Sequence, residues 1–169
     1  MDAPTRHCER GFTYAGLLIA VALLGVALAA TGEVWRTAAK RERERELLFV
    51  GAEFRNALAS YYGTTPIGQR RYPLTLEDLV EDRRTAVPRR HLRRVYADPM
   101  TGKPGWGIVD APGGGIAGVH SVSEEKPLKT GGFVGAEAKF EGAERYSAWK
   151  FVFEPRGGVQ SIQRTAPQK

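Results

Sequence analysis

The sequence predicts an α+β protein: a long N-terminal α-helix, membrane-spanning in its first half, packed in its second half on a small antiparallel β-sheet. Three observations carry this reading. Phe12 to Gly32 is a run of 21 residues without a charge; as a helix it rises about 31 Å, close to the ~30 Å hydrocarbon core of a bilayer. Leu47, Val50, Phe54, Leu58 and Tyr61 then step by three or four and draw one apolar stripe. Beyond Gly63, short runs of β-branched and aromatic residues alternate with glycine and proline turns, as in a sheet of short antiparallel strands.

These features divide the chain into four parts: a polar leader over 1–11, the apolar helix segment over 12–32, its amphipathic continuation over 33–62, and an α+β domain over 63–169. With 26% charged and 42% hydrophobic residues the composition is that of a folded protein and excludes wholesale disorder. The net charge of +6 permits contact with anionic surfaces without requiring it. Cys8 is the sole cysteine, so no intrachain disulfide forms, and a chain cut behind the leader has no thiol.

The apolar run has three readings. A secretory signal peptide would need a small-residue cleavage site before Glu33, where Ala27-Leu28-Ala29 is only a weak candidate. A plain signal anchor needs nothing more. The third is a leader cut in front of the apolar run. Arg10-Gly11-Phe12-Thr13 followed by that run resembles the type IV pilin and pseudopilin leader. The resemblance implies cleavage between Gly11 and Phe12 and N-methylation at Phe12. Glycine before the cut lets the backbone approach a protease closely. One position departs from the family: its glutamate at the fifth mature residue is Gly16 here, and no acid follows until Glu33. In pseudopilins that loss is associated with the tip subunit.

The soluble part carries a second resemblance. Tyr72–Leu79 (YPLTLEDL), Tyr96–Val109 (YADPMTGKPGWGIV), Gly113–Phe133 (GGGIAGVHSVSEEKPLKTGGF) and Trp149–Pro155 (WKFVFEP) look like the pseudopilin family of type II secretion. The two resemblances together cover nearly the whole chain. They imply a pilin-like fold and a structural subunit of a type II secretion or type IV pilus-like machine. Such a subunit is not an enzyme. It assembles through its N-terminal helix into a periplasmic filament, with Phe12, Gly16, Leu17, Leu18 and Leu24 in the filament core. The implied location is the bacterial inner membrane, crossed once, with the C-terminal domain in the periplasm. The implied partners are other pseudopilin subunits, the prepilin peptidase, the inner-membrane assembly platform and its ATPase. Major pseudopilins have a calcium-binding loop, so the resemblance leaves calcium open, although Asp98 and Asp110 do not match that loop residue by residue; no other cofactor is expected.

Taken in order, Lys40 to Glu46 alternates in sign, as a solvated helix face or a contact between neighbouring subunits would. Gly63 to Arg71 is a breaker-rich turn. Tyr72 to Arg84 predicts a short helix capped by Thr75, with Asp78 as capping-box partner. Arg83, Arg84, Arg89, Arg90, Arg93 and Arg94 crowd around Pro88. Without an aromatic platform or a binding motif they predict a solvated or partner-facing basic patch, and nucleic acid is not expected. Strands are predicted at Val95–Tyr96, Trp106–Val109, Ile116–Val122, Tyr146–Phe153 and Val159–Ile162, with a loop over Lys126–Arg145. Asp98 before Pro99 predicts a turn.

No chemistry stands out. Gly113, Gly115 and Gly118 satisfy a dinucleotide-loop spacing, but a strand pattern follows where a helix is needed. Thr101-Gly102-Lys103 lacks the upstream glycine of a phosphate loop. His91 and His120 sit in no ligand-spaced cluster, and no serine lies in a nucleophile-elbow pattern. Three alternatives remain beside the filament subunit: a minor tip subunit that initiates assembly, a pilin that binds DNA through Arg83 to Arg94, and, least favoured because no catalytic set is visible, a membrane-anchored enzyme.

Overall fold

A computed structural model describes residues 10–66, 68–85 and 87–155, with side chains at 14–27 and from 32 onward. The predicted strand Val159–Ile162 and most of the leader lie outside the described residues. One helix, α1, runs Arg10–Thr64 without interruption. Its interior holds no proline, and its breaker-rich exit follows at Thr65 and Pro66. The chain divides into two compact units, Met1–Glu42 and Arg43–Lys169.

In the first unit every described side chain from Tyr14 to Ala27 is exposed. The apolar part of α1 reaches a mean hydropathy of 2.3 over 18 residues with none of that window buried. By length and composition this helix can cross a membrane.

The second unit is built on the rest of α1. All five stripe residues are buried, from 0% exposure at Leu47, Phe54 and Leu58 to 5% at Tyr61. They meet Leu79, Leu92, Trp106, Val119, Trp149 and Phe151 in one hydrophobic core. The sheet is antiparallel with strand order β1-β2-β3: β1 Gly107–Asp110, β2 Ile116–His120 and β3 Phe151–Val152. Ile108 pairs with Val119 and Val119 with Phe151, so β2 lies in the middle. The β1–β2 turn needs its glycines: Gly113, Gly114 and Gly115 have φ of 100°, 96° and 86°, a region costly for side chains. Helix and sheet meet at Gly51, where a Cβ would stand 2.4 Å from the Phe151 ring. Only glycine lets the ring seat against the helix backbone.

Several local expectations are corrected. Tyr146–Phe153 is not one strand: Tyr146–Ala148 forms a 3-10 turn and only Phe151–Val152 pairs. The aromatic content reflects burial, since Tyr146, Trp149 and Phe151 are all inside. The short helix contracts to a 3-10 turn at Glu77–Leu79, and no side chain caps its N terminus. Asp78 nevertheless reaches back, accepting from the Leu74 and Thr75 amides at 3.0 Å each. Val95–Tyr96 forms no strand, and the predicted loop contains a 3-10 segment, Gly135–Phe140. Its Phe140 stacks on Trp149 with centroids 5.6 Å apart.

Candidate functional site

Two groups of residues bear on function, one in each unit. In the first unit the expected filament-core side chains Leu17, Leu18 and Leu24 are 61%, 52% and 63% exposed. Gly16 has nothing within 4 Å of where a Cβ would stand. The Gly11–Phe12 bond falls in the first turns of α1. Among the described side chains Tyr14 to Ala27 none is charged, and such a surface can be covered by lipid or by other apolar helices.

In the second unit, the six clustered arginines do not act together. Arg84 is drawn inward. Its Nε donates to Asp82 Oδ1 at 2.8 Å and its Nη2 to Oδ2 at 2.7 Å, a two-pronged pair. Nη2 also donates to the Tyr61 carbonyl at 2.9 Å and Nη1 to Thr65 Oγ1 at 2.6 Å. The guanidinium lies 3.5 Å over the Tyr61 ring. Arg84 therefore satisfies a last-turn carbonyl of α1, where a cation is favoured. Arg83, Arg89, Arg90, Arg93 and Arg94 remain exposed, with Arg83 paired to Glu81 and Arg94 5.2 Å over the Tyr96 ring. The basic patch is thus smaller than the sequence suggests, and Arg84 belongs to the fold.

Asp82 is the hub. It is 1% exposed, and the hydrogen bond from Arg84 holds its carboxyl far below the usual carboxylate range against the opposing effect of burial. His91 Nε2 lies 3.2 Å from Asp82 Oδ2, and His91 Nδ1 lies 2.8 Å from Ser60 Oγ. A serine, a histidine and an aspartate in a row invite comparison with a nucleophilic triad. Two observations weigh against that use. Arg84 already occupies both oxygens of the aspartate. Ser60 sits inside α1, whose backbone amides are bonded within the helix and cannot form an oxyanion hole around it. A cleft of about 730 Å³ opens nearby, lined by Tyr61, Arg71, Tyr72, Glu77, Asp78 and Arg83 among others, but not by Ser60.

The sign-alternating segment hides a further anchor. Glu44 is 5% exposed, not solvated as its neighbours suggest. Its Oε1 accepts from the Leu128 amide at 2.8 Å, the Lys129 amide at 3.0 Å and the Tyr146 hydroxyl at 3.1 Å. This ties the Leu128–Lys129 segment and Tyr146 to α1. Burial, then the Glu44 charge, pushes the Tyr146 phenol well above the usual tyrosine range. The sequence did hold a signal: Glu44 stands three residues before Leu47, so extending the apolar stripe back one turn puts it on the inward face.

Asp98, fully buried, serves its turn as expected. Its carboxylate accepts from the Met100 amide at 3.0 Å and the Ser121 hydroxyl at 2.8 Å. Asp110 is exposed on β1. His120 lies over Gly107, and its Nδ1 is 2.8 Å from the Ser121 carbonyl. Among the described residues, no group of three His, Cys, Asp or Glu side chains could hold a metal ion. Comparisons with protein-family models, curated proteins and solved structures find no match to this chain.

Proposed function

We propose that the protein is a pseudopilin-like structural subunit. It is held in the bacterial inner membrane by its apolar helix, cut between Gly11 and Phe12, and assembled through that helix into a periplasmic filament. The observation that carries this reading is the joining of three features on one helix. These are the Arg10-Gly11-Phe12-Thr13 leader motif, the uncharged run to Gly32, and a C-terminal half whose apolar stripe forms the spine of an α+β head. Such a helix can exchange lipid for sister helices without exposing its apolar face to water, so assembly need not overcome the cost of wetting it. The pilin-like character of the head and a partnership with a platform protein and its ATPase belong to the same proposal. The subunit performs no reaction.

Gly16 favours a second form of this reading, a minor tip subunit that starts the filament, because the apolar run carries no acid to pair with a neighbour's terminal amine. A single test addresses both. The mature chain would lack native thiols, so a cysteine pair introduced as Leu17→Cys and Leu24→Cys reports helix neighbours alone. Oxidation in cells with the assembly ATPase should give a ladder of cross-linked chains for a shaft subunit. For a tip subunit it should give no ladder but one hetero-adduct, formed with a sister subunit that carries a cysteine introduced at the facing position of its own apolar helix. Chains that stay monomeric with and without the ATPase would remove the proposal.

A further inference from the structure

The first unit carries an aromatic residue near each end of its apolar stretch. Tyr14 is 65% exposed and Trp35 is 73% exposed. They are 21 residues apart on one unbroken helix, which is about 32 Å of axial rise, against a ~30 Å hydrocarbon core. Between them every described side chain up to Ala27 is exposed, and none is charged. The uncharged run ends at Gly32, and charge flanks the Trp35 ring on both sides: Glu33 precedes it, Arg36 follows it, and the two pair at 3.9 Å, both well solvated. Trp106 and Trp149 of the second unit, by contrast, are buried at 8% and 0%.

A large aromatic ring with one polar atom gains most at the boundary between acyl chains and headgroups, where its body is dry and its N–H or O–H is bonded. A tryptophan left in water beside a charged pair has no such reason to be there. We infer that Tyr14 and Trp35 are the two interfacial anchors of the span, fixing its register in a phospholipid bilayer. Tyr14 lies at one headgroup boundary and Trp35 at the other. The partner is the lipid surface itself. This rests on the reading of the apolar helix as a membrane span and adds its depth. Arg36 and Glu33, 3.9 Å apart, then stand together at the headgroups on either side of Trp35. The register also sets the Gly11–Phe12 bond within one turn of Tyr14, at the opposite boundary, where a peptidase working at the membrane surface reaches it.

The test uses the full chain reconstituted in phosphatidylcholine–phosphatidylglycerol vesicles. The lipid is brominated either near the glycerol end or near the methyl end of the acyl chains. Trp35→Phe provides the blank, so the difference between the two proteins is the Trp35 signal. Retention in the vesicle fraction after an alkaline wash is measured in parallel and tests the span alone. The inference expects the Trp35 component to be quenched about two-fold or more strongly by the shallow bromines than by the deep ones. Equal or stronger quenching by the deep bromines, or no quenching in a protein that stays with the vesicles, overturns the register while leaving the span standing. Loss from the vesicles on washing overturns both.

Discussion

Arg84 and Arg90 sit six residues apart in one basic cluster, and the structure separates them sharply. Replacing Arg84 by alanine leaves the Asp82 carboxylate, 1% exposed, without its two-pronged partner. An uncompensated charge in that position costs about 3–5 kcal/mol. The His91 contact and the Arg84 backbone amide, which donates to Asp82 Oδ1 at 3.0 Å, survive and favour the lower end, about 3 kcal/mol. Arg90→Ala removes an exposed side chain and is expected within about 0.5 kcal/mol of the parent. Urea unfolding in detergent, followed by the near-ultraviolet signal of the buried Trp106 and Trp149, reads the second unit directly. The double variant Asp82→Asn, Arg84→Gln removes both charges, and it is expected to recover about 2 kcal/mol of the single-variant loss. If Arg84→Ala and Arg90→Ala unfold alike, the division of the basic cluster into a structural and a surface part is wrong.

Three further outcomes follow from the same geometry. Glu44→Leu strips the acceptor from two amides and the buried Tyr146 hydroxyl and should cost about 3 kcal/mol, whereas Glu44→Gln keeps an acceptor and should cost about 1 kcal/mol; the two are compared by urea midpoint. Gly51→Ala drives a methyl group into Phe151 and should destabilise by about 1–2 kcal/mol despite its better helix propensity, while Gly63→Ala, with nothing within 4 Å, should be neutral or stabilising. The pH profile of unfolding should fall at both ends. Asp82, with its carboxyl held low in the folded chain, contributes stability that is intact at neutral pH and is lost as pH drops below about 4. Tyr146, held high, contributes stability that is intact up to about pH 10 and is lost above it. In Glu44→Gln, tyrosinate absorbance should show the Tyr146 phenol titrating closer to its ordinary value.

The long helix and its buried stripe were legible because both are periodic, and periodicity survives in a single sequence. Glu44 escaped because three arginines and two other glutamates alternate around it, and a charge pattern conceals one inward position unless the apolar stripe is extended through it. Tyr146–Phe153 misled for a different reason. Aromatic and β-branched residues mark burial as readily as strand, and here the i, i+3 spacing of Tyr146 and Trp149 belonged to a 3-10 turn. The pairing of Arg84 with Asp82 could not be read at all, since six nearby arginines offer equal partners until the chain is folded. The apolar run is a local feature visible from composition alone, whereas the leader was read from the resemblance of Arg10-Gly11-Phe12-Thr13 to the pilin and pseudopilin leader.

The central claim is that this chain is a precursor matured in front of its apolar run. The mass and N-terminal residue of the protein isolated from membranes of cells containing a prepilin peptidase test it most directly. The account predicts a chain that begins at N-methylated Phe12 and has lost Cys8 with the leader. A chain retaining Met1 and Cys8, or one cut beyond Gly32, would contradict it.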